Sequence, residues 1–407
     1  MVSKAIIGER IRAGRRRAGM SQQSLADRVG VSKMMISKYE SGTVIPGSAM
    51  LIALGKVLGV RIEYFLRAVS VRVHAPRYRC RKTLPKKEEA MILAHTQDWL
   101  ERYLIIERIL GEEPDLDLPP EDACRIRSVE DIEDLVLKIR RDWSLGLEPI
   151  GNVTDVLEQH GIKVGGIAAS EKFDALTLWY NDHPVIVVNK NMSGERQRFS
   201  LAHELGHLLL QIEPEFERAV MVNSRRTPAE RTGQDNGVWS VAEEYLQSEE
   251  IPQEVQEVAA NRFAAAFLVP CDNAVNELGA KRTRLEFREL RILKEKYGLS
   301  MAAWIYRAED CGIIDAGAKA RHFMELNARG WRKREPGEIP PESPGRMKLL
   351  LLHALSEKMI TESRYLELAG EGERVAVDSE KEDDKPVSSA IMKSGTGERC
   401  GYEDQKQ

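Results

Sequence analysis

Apolar positions in the first 66 residues recur at steps of three and four, which predicts about five short helices rather than strands. Ile6, Ile7 and Ile11 begin the first, which ends near Gly19. Ser21 stands where an N-cap is needed for a second helix over residues 22–29, with Leu25, Ala26 and Val29 turned inward. Gly30 supplies a tight turn, Ser32 caps a third helix through Tyr39, and Gly42 with Pro46 closes it. The period then changes. Residues 176–180 and 185–189 are β-rich runs around Asn181, His183 and Pro184, so they predict a hairpin, with His183 a surface residue of the turn. Residues 199–210 and 257–268 return to buried helical spacing, residues 290–297 and 300–308 read as packing helices, and Trp304 falls in the core.

Between the head and the hairpin, residues 72–87 gather Arg72, Arg77, Arg79, Arg81, Lys82, Lys86 and Lys87 with Pro76 and Pro85, the composition of a basic hinge. Apolar residues at 92, 93, 99, 100, 103, 104 and 106 then mark a helix that braces domains or dimerises. Residues 347–368 read as a helical pair. The expected divisions are a head (1–68), a basic linker and helical connector (69–134), a main domain (135–315), a small helical region (316–369) and a disordered polar tail (370–407).

Composition narrows the class. A chain of 407 residues with 42% hydrophobic and 30% charged residues is long enough for several cores and polar enough to be globular in water. No apolar run reaches the length of a membrane span and residues 1–7 are too short for a secretory signal, so a cytoplasmic location is expected. Cys80, Cys124, Cys271, Cys311 and Cys400 form no CxxC pair and are odd in number, so they are expected to be reduced and incidental. The net charge of −4 conceals an asymmetry: residues 1–67 carry 12 Lys/Arg against 4 Asp/Glu, a net of +8. A basic head on an acidic body points to a polyanion partner, double-stranded DNA.

The sharpest chemical signal is His203-Glu204-Leu205-Gly206-His207 inside the apolar run 199–210. On a helix, His203 and His207 project from one face and can hold one Zn²⁺, while Glu204 sits where a general base for peptide hydrolysis is needed. A catalytic zinc takes a third protein ligand. Glu257 is the candidate, opening an Ala-rich helix on which Asn261 shares its face and can orient a histidine. Glu243, Glu244, Glu249, Glu250 and Glu254 are the rivals, most of them in a polar run before that helix.

The head carries a second signal. Two short capped helices joined at Gly30 form a helix-turn-helix, whose second helix presents its N-terminal residues to the major groove. Lys33, Met34, Ser37 and Lys38 would face DNA, Gln22 and Gln23 would lie near the phosphates, and Ile36 would be core.

Two resemblances follow from these residues. Ser21 to Ser32, then Ile36-Ser37-Lys38-Tyr39-Glu40-Ser41-Gly42 and Pro46, resemble the XRE-type helix-turn-helix of the lambda and Cro repressor superfamily. Met34 and Met35 stand where that family often has hydrogen-bonding side chains. Over residues 135–315, Trp143 to Gly146, Pro184 to Asn189, Glu195 to His207 and the later Glu257 to Ala264 resemble the ImmA/IrrE zinc peptidases, which are gluzincin-like. The resemblance implies that Glu257 is the third ligand and that the substrate is an XRE-type repressor protein whose cleavage frees its genes. The expected fold is multidomain: an all-α helix-turn-helix head (lambda repressor-like) plus an α+β zincin-like (gluzincin) metallopeptidase domain. A homodimer is expected, residues 212–250 are expected to be a surface loop, and a substrate strand could add to an edge of the sheet. The alternatives are a ligand-sensing or dimerising module without turnover, or an antitoxin-like regulator that binds a toxin.

Overall fold

The computed structural model describes residues 4–67, 71, 77–80, 84–181, 183–225 and 251–370. Five helices build the head: α1 (Lys4–Arg17), α2 (Gln22–Val29), α3 (Lys33–Glu40), α4 (Ser48–Leu58) and α5 (Ile62–Leu66). The Ser21 and Ser32 side chains accept backbone N–H groups from the first turns of α2 and α3, and Gly30 takes φ 72°, a left-handed conformation that suits glycine. Ile7, Ile11, Leu25, Ala26, Ile36, Leu54 and Phe65 close the head's core.

Next come β1 (Arg77–Cys80), the long α6 (Lys86–Leu110), a 3₁₀ turn over Glu121–Cys124, β2 (Arg125–Ile126), α7 (Val129–Asp142) and α8 (Val153–Gln159). The centre of the body is β3 (Lys163–Ile167), β4 (Phe173–Tyr180), β5 (His183–Asn189) and α9 (Gly194–Leu209). After it run β6 (Gln211–Ile212), α10 (Pro214–Arg225), α11 (Gln253–Leu268), α12 (Cys271–Leu278), α13 (Phe287–Tyr297), α14 (Met301–Asp310), α15 (Ala316–Ala328), α16 (Arg346–Ser356) and α17 (Glu362–Ala369).

Four strands form one sheet in the order β1-β4-β5-β3, with β4 antiparallel to both neighbours and β3 parallel to β5. Strand period divides the hairpin between two cores. Ala175, Ile186 and Val188 face a cluster with Leu201, Leu205 and Phe263, whereas Leu176, Leu178, Val185 and Val187 face another with Ile92, Leu100 and Leu104. The sheet therefore lies between α9 with α11 on one side and α6 on the other.

Several expectations change. The strands are longer than the β-rich runs, so His183 and Pro184 begin β5, and the His183 ring lies 3.3 Å from Glu113. Helix α10 occupies the start of the expected loop 212–250, because Phe216 is fully buried in the main core. The main core also reaches past residues 135–315, taking in Cys124, Ile126 and Ile132 before and Ala318 and Leu326 after. Cys271 and Cys311 are not incidental: α12 and α14 bring their Cα atoms within 5.5 Å and they form a disulfide. Cys124 is buried and free. Residues 226–250, with Glu243, Glu244, Glu249 and Glu250, lie outside the described residues, as do 72–76 and 81–83 of the linker and residues 371–407 of the tail. Among the described residues no helix is long and apolar enough to cross a membrane.

Helix α6 joins the parts. Arg10 of α1 meets Glu101 at 2.6 Å with both side chains buried, Arg17 meets Asp98 at 3.1 Å, and Arg67 pairs with both acids. Burial alone would raise the Asp98 carboxyl, but the guanidiniums of Arg102, Arg67 and Arg17 outweigh it and hold it at about 2. Farther along, Trp99 lies over Gly165 of β3, and Tyr103 and Ile106 pack with Leu350, Leu351 and Leu368 of α16 and α17.

Candidate functional site

Helix α9 carries His203, Glu204 and His207, and its own position is fixed by charge. Glu195 meets the buried ammonium of Lys294 at 2.8 Å, and the Arg198 guanidinium donates to the carbonyls of Gly151 (3.1 Å) and Ile150 (2.5 Å). Helix α11 crosses close by because the contact is built from small residues. A Cβ on Gly206 would lie 3.2 Å from the Phe263 ring and 3.3 Å from the Ala260 Cα, so glycine is what lets the two helices approach. That approach brings Glu257, one turn ahead of Ala260, onto the face of α9 that carries the histidines.

The result is a convergent donor set. Glu257 Oε2 lies 3.4 Å from His203 Nε2, and Glu257 Oε1 lies 3.3 Å from His207 Nε2. One ligand atom from each of the three residues lies within 4.8 Å of the others. A tetrahedral zinc with bonds near 2.1 Å separates its ligand atoms by about 3.4 Å, so two imidazole nitrogens and a carboxylate at these spacings fit that ion. His203 is fully buried, His207 nearly so, and Glu257 half-buried. Hydrogen bonds with His203 and His207 hold the Glu257 carboxyl well below the ordinary carboxylate range, despite its partial burial. Asn261 follows one turn later on α11, at the exposed surface, and Glu254 is exposed as well.

Glu204 is 1% exposed, and Thr177 of β4 donates a 2.5 Å hydrogen bond from Oγ1 to its Oε2. Sequence reasoning missed Thr177. The available signal was strand period, since Thr177 follows Ala175 on the face turned to α9.

In the head, Lys33, Met34, Ser37 and Lys38 all lie exposed on α3, Met34 at 68%. Gln23 is exposed and donates to Asp27 at 2.7 Å. Gln22, at the start of α2, donates to the buried Glu40 at 2.8 Å, which also takes Arg15 at 2.5 Å.

Residues 11–65 match the family model for the helix-turn-helix, and residues 157–233 match that of the IrrE N-terminal-like domain. The second match spans β3 through α9, with His203, Glu204 and His207; Glu257 lies beyond it. An uncharacterized HTH-type transcriptional regulator of Sinorhizobium medicae (strain WSM419) is 37% identical over 59 residues, 14% of this chain and 42% of that protein. Repressor protein C2 of Salmonella phage P22 is 39% identical over 62 residues, 15% of this chain and 29% of that protein. The SPbeta prophage-derived uncharacterized HTH-type transcriptional regulator YonR of Bacillus subtilis (strain 168) is 36% identical over 62 residues, 15% of this chain and 57% of that protein. The matched segments thus span less than two thirds of each relative. A solved Mycobacterium tuberculosis transcriptional regulator aligns over 51% of both chains at 12% identity and a TM-score of 0.27. The chain therefore joins an XRE-type helix-turn-helix at its N-terminus to an IrrE/ImmA-like domain of the M78 peptidase type.

Proposed function

We propose that this protein is a DNA-binding transcriptional regulator whose body is a zinc metalloendopeptidase, with a repressor protein of the helix-turn-helix type as substrate. The observation that carries the enzymatic half is the convergence of His203, His207 and Glu257 beside a buried Glu204 that Thr177 holds in place. His203, His207 and Glu257 would hold the ion. Bound there, zinc supplies Lewis acidity toward water and the substrate carbonyl. The chain's own residues do the rest. Glu204 takes a proton from the attacking water and delivers one to the departing amine, while Thr177 keeps the carboxylate in a single orientation.

The basic head supports the other half. Lys33, Ser37 and Lys38 form an exposed polar face on α3, and Met34 adds an apolar contact to it. This is the face a helix-turn-helix presents to the major groove of double-stranded DNA. A homodimer reading two half-sites completes the proposal.

The test separates metal from chemistry. Glu204→Gln should retain about one zinc per chain and lose cleavage of a co-encoded repressor, whereas His203→Ala and His207→Ala should lose the zinc. Purified protein that binds no zinc, or a Glu204→Gln variant that cleaves as well as the parent, would overturn the peptidase reading.

A further inference from the structure

The sheet edge beside Glu204 is already taken. β4 carries Thr177, the residue bonded to Glu204, and its outer edge pairs antiparallel with β1, with Arg77 opposite Thr177 and Tyr78 opposite Leu176. β1 does not belong to the body's own run of strands: it comes from the connection between the head and α6, and nearly a hundred residues of chain separate it from β4. The segment is anchored on either side. Val71 before it and Leu84 after it are buried in the cluster that contains Leu176 and Leu178, and the Val71 carbonyl accepts a 2.7 Å hydrogen bond from Gln97 of α6.

An exposed strand edge is a template for an extended peptide, since main-chain hydrogen bonds bind it regardless of sequence. A protein substrate presenting a bond to Glu204 would use the β4 edge in this way. From these positions we infer that β1 is an intramolecular competitor for that edge: an extended segment of a partner protein enters by displacing residues 77–80, and until then the chain blocks its own cleft. The inference rests on the peptidase reading for its purpose but not for its geometry. A tethered strand competes at an effective concentration on the order of millimolar, so even weak pairing in place suppresses peptides in solution. Displacement would also pull on Val71, four residues from Arg67 and its ion pairs with Asp98 and Glu101, so occupancy of the edge and seating of the head are linked.

The experiment uses the full chain and a Tyr78→Pro/Arg79→Pro double variant. Alternate N–H groups of an antiparallel edge strand face the neighbour, so prolines at two successive positions remove at least one ladder donor. A second variant, Arg77→Gly/Tyr78→Ser/Arg79→Gly/Cys80→Ser, weakens the strand without proline and guards against a folding defect. The probe is a fluorescein-labelled peptide with the sequence of residues 74–83 and serine in place of Cys80, read by anisotropy. Amide hydrogen exchange over residues 173–178 is followed in parallel. Both variants should lose exchange protection in β4 and bind the probe about tenfold more tightly than the parent chain, with saturating probe restoring the protection. Equal probe affinity for all three chains, unchanged protection in β4, or no binding to either variant would overturn the inference. Repeating the binding on a His203→Ala background keeps the two readings apart. Release of the edge that persists there stands even if the protein cleaves nothing, and a fully active peptidase with no release sinks this inference alone.

Discussion

Thr177 Oγ1 lies 2.5 Å from Glu204 Oε2, a hydrogen bond between the middle of a strand and the helix that carries two of the three candidate metal ligands, His203 and His207. Each partner is at most 5% exposed, so water does not compete for the bond. Thr177→Val keeps the shape and removes the donor. For a cleaved repressor, kcat should fall about tenfold with KM and zinc content nearly unchanged, the pattern of a lost positioning contact. Thr177→Ser should restore most of the rate. Unchanged kcat in the valine variant would remove Thr177 from the machinery.

The junction of head and body offers a stability test free of any assumption about activity. Glu101→Ala removes the carboxylate that faces Arg10, which is 1% exposed and also donates to the Arg67 carbonyl at 2.8 Å, and weakens the hold on Arg67. Removing one member of a buried ion pair costs about 3–5 kcal/mol. Urea unfolding of the full chain should show the loss, and a change below about 1 kcal/mol, the scale of a surface pair, would mean that the pair is solvated in solution.

Acid should act on the same junction. Burial, with Arg17 nearby, lowers the His95 imidazole from 6.5 to about 4. A depressed folded value means that the unfolded chain takes the proton first, so stability is fully present above pH 6.5 and drains away as the pH falls toward 4. Asp98, held at about 2, stays charged through that window. Unfolding midpoints between pH 7.5 and 4.5 should fall more steeply for the parent than for His95→Gln. Parallel profiles would show that His95 is already solvated.

DNA binding has its own signature. Lys33 and Lys38 flank the exposed face of α3, and each phosphate contact contributes about 0.9 to the slope of log affinity against log salt. Lys33→Ala and Lys38→Ala should each reduce that slope by about this amount in gel-shift titrations with the protein's own promoter. Met34→Ala should weaken binding without changing the slope. A slope unaltered by either lysine change would move the phosphate contacts off α3.

What the sequence disclosed was local. Ser21, Gly30 and Ser32 signal their turn through caps within a few residues of one another, and His203 and His207 need only one helical turn to share a face. Thr177 was illegible because its meaning depends on which helix packs beneath β4. Cys271 and Cys311, 40 residues apart with no paired spacing, meet only once α12 has docked on α14. β1 was hidden for another reason. Arg77, Tyr78, Arg79 and Cys80 lack apolar alternation, and the strand exists because β4 offers an edge to pair with.

The arginines at the back of the head bear on how such a protein can be altered. Helix-turn-helix domains invite treatment as interchangeable cassettes, to be swapped for a new operator. Here Arg10, Arg17 and Arg67 are matched to Asp98 and Glu101 of α6, and a substitute head lacking them would bury Glu101 without its arginines and leave Asp98 to Arg102 of α6 alone. Retargeting the protein by grafting would therefore succeed only with donors that carry the three arginines, or with α6 redesigned alongside; changing the exposed face of α3 leaves the seam intact.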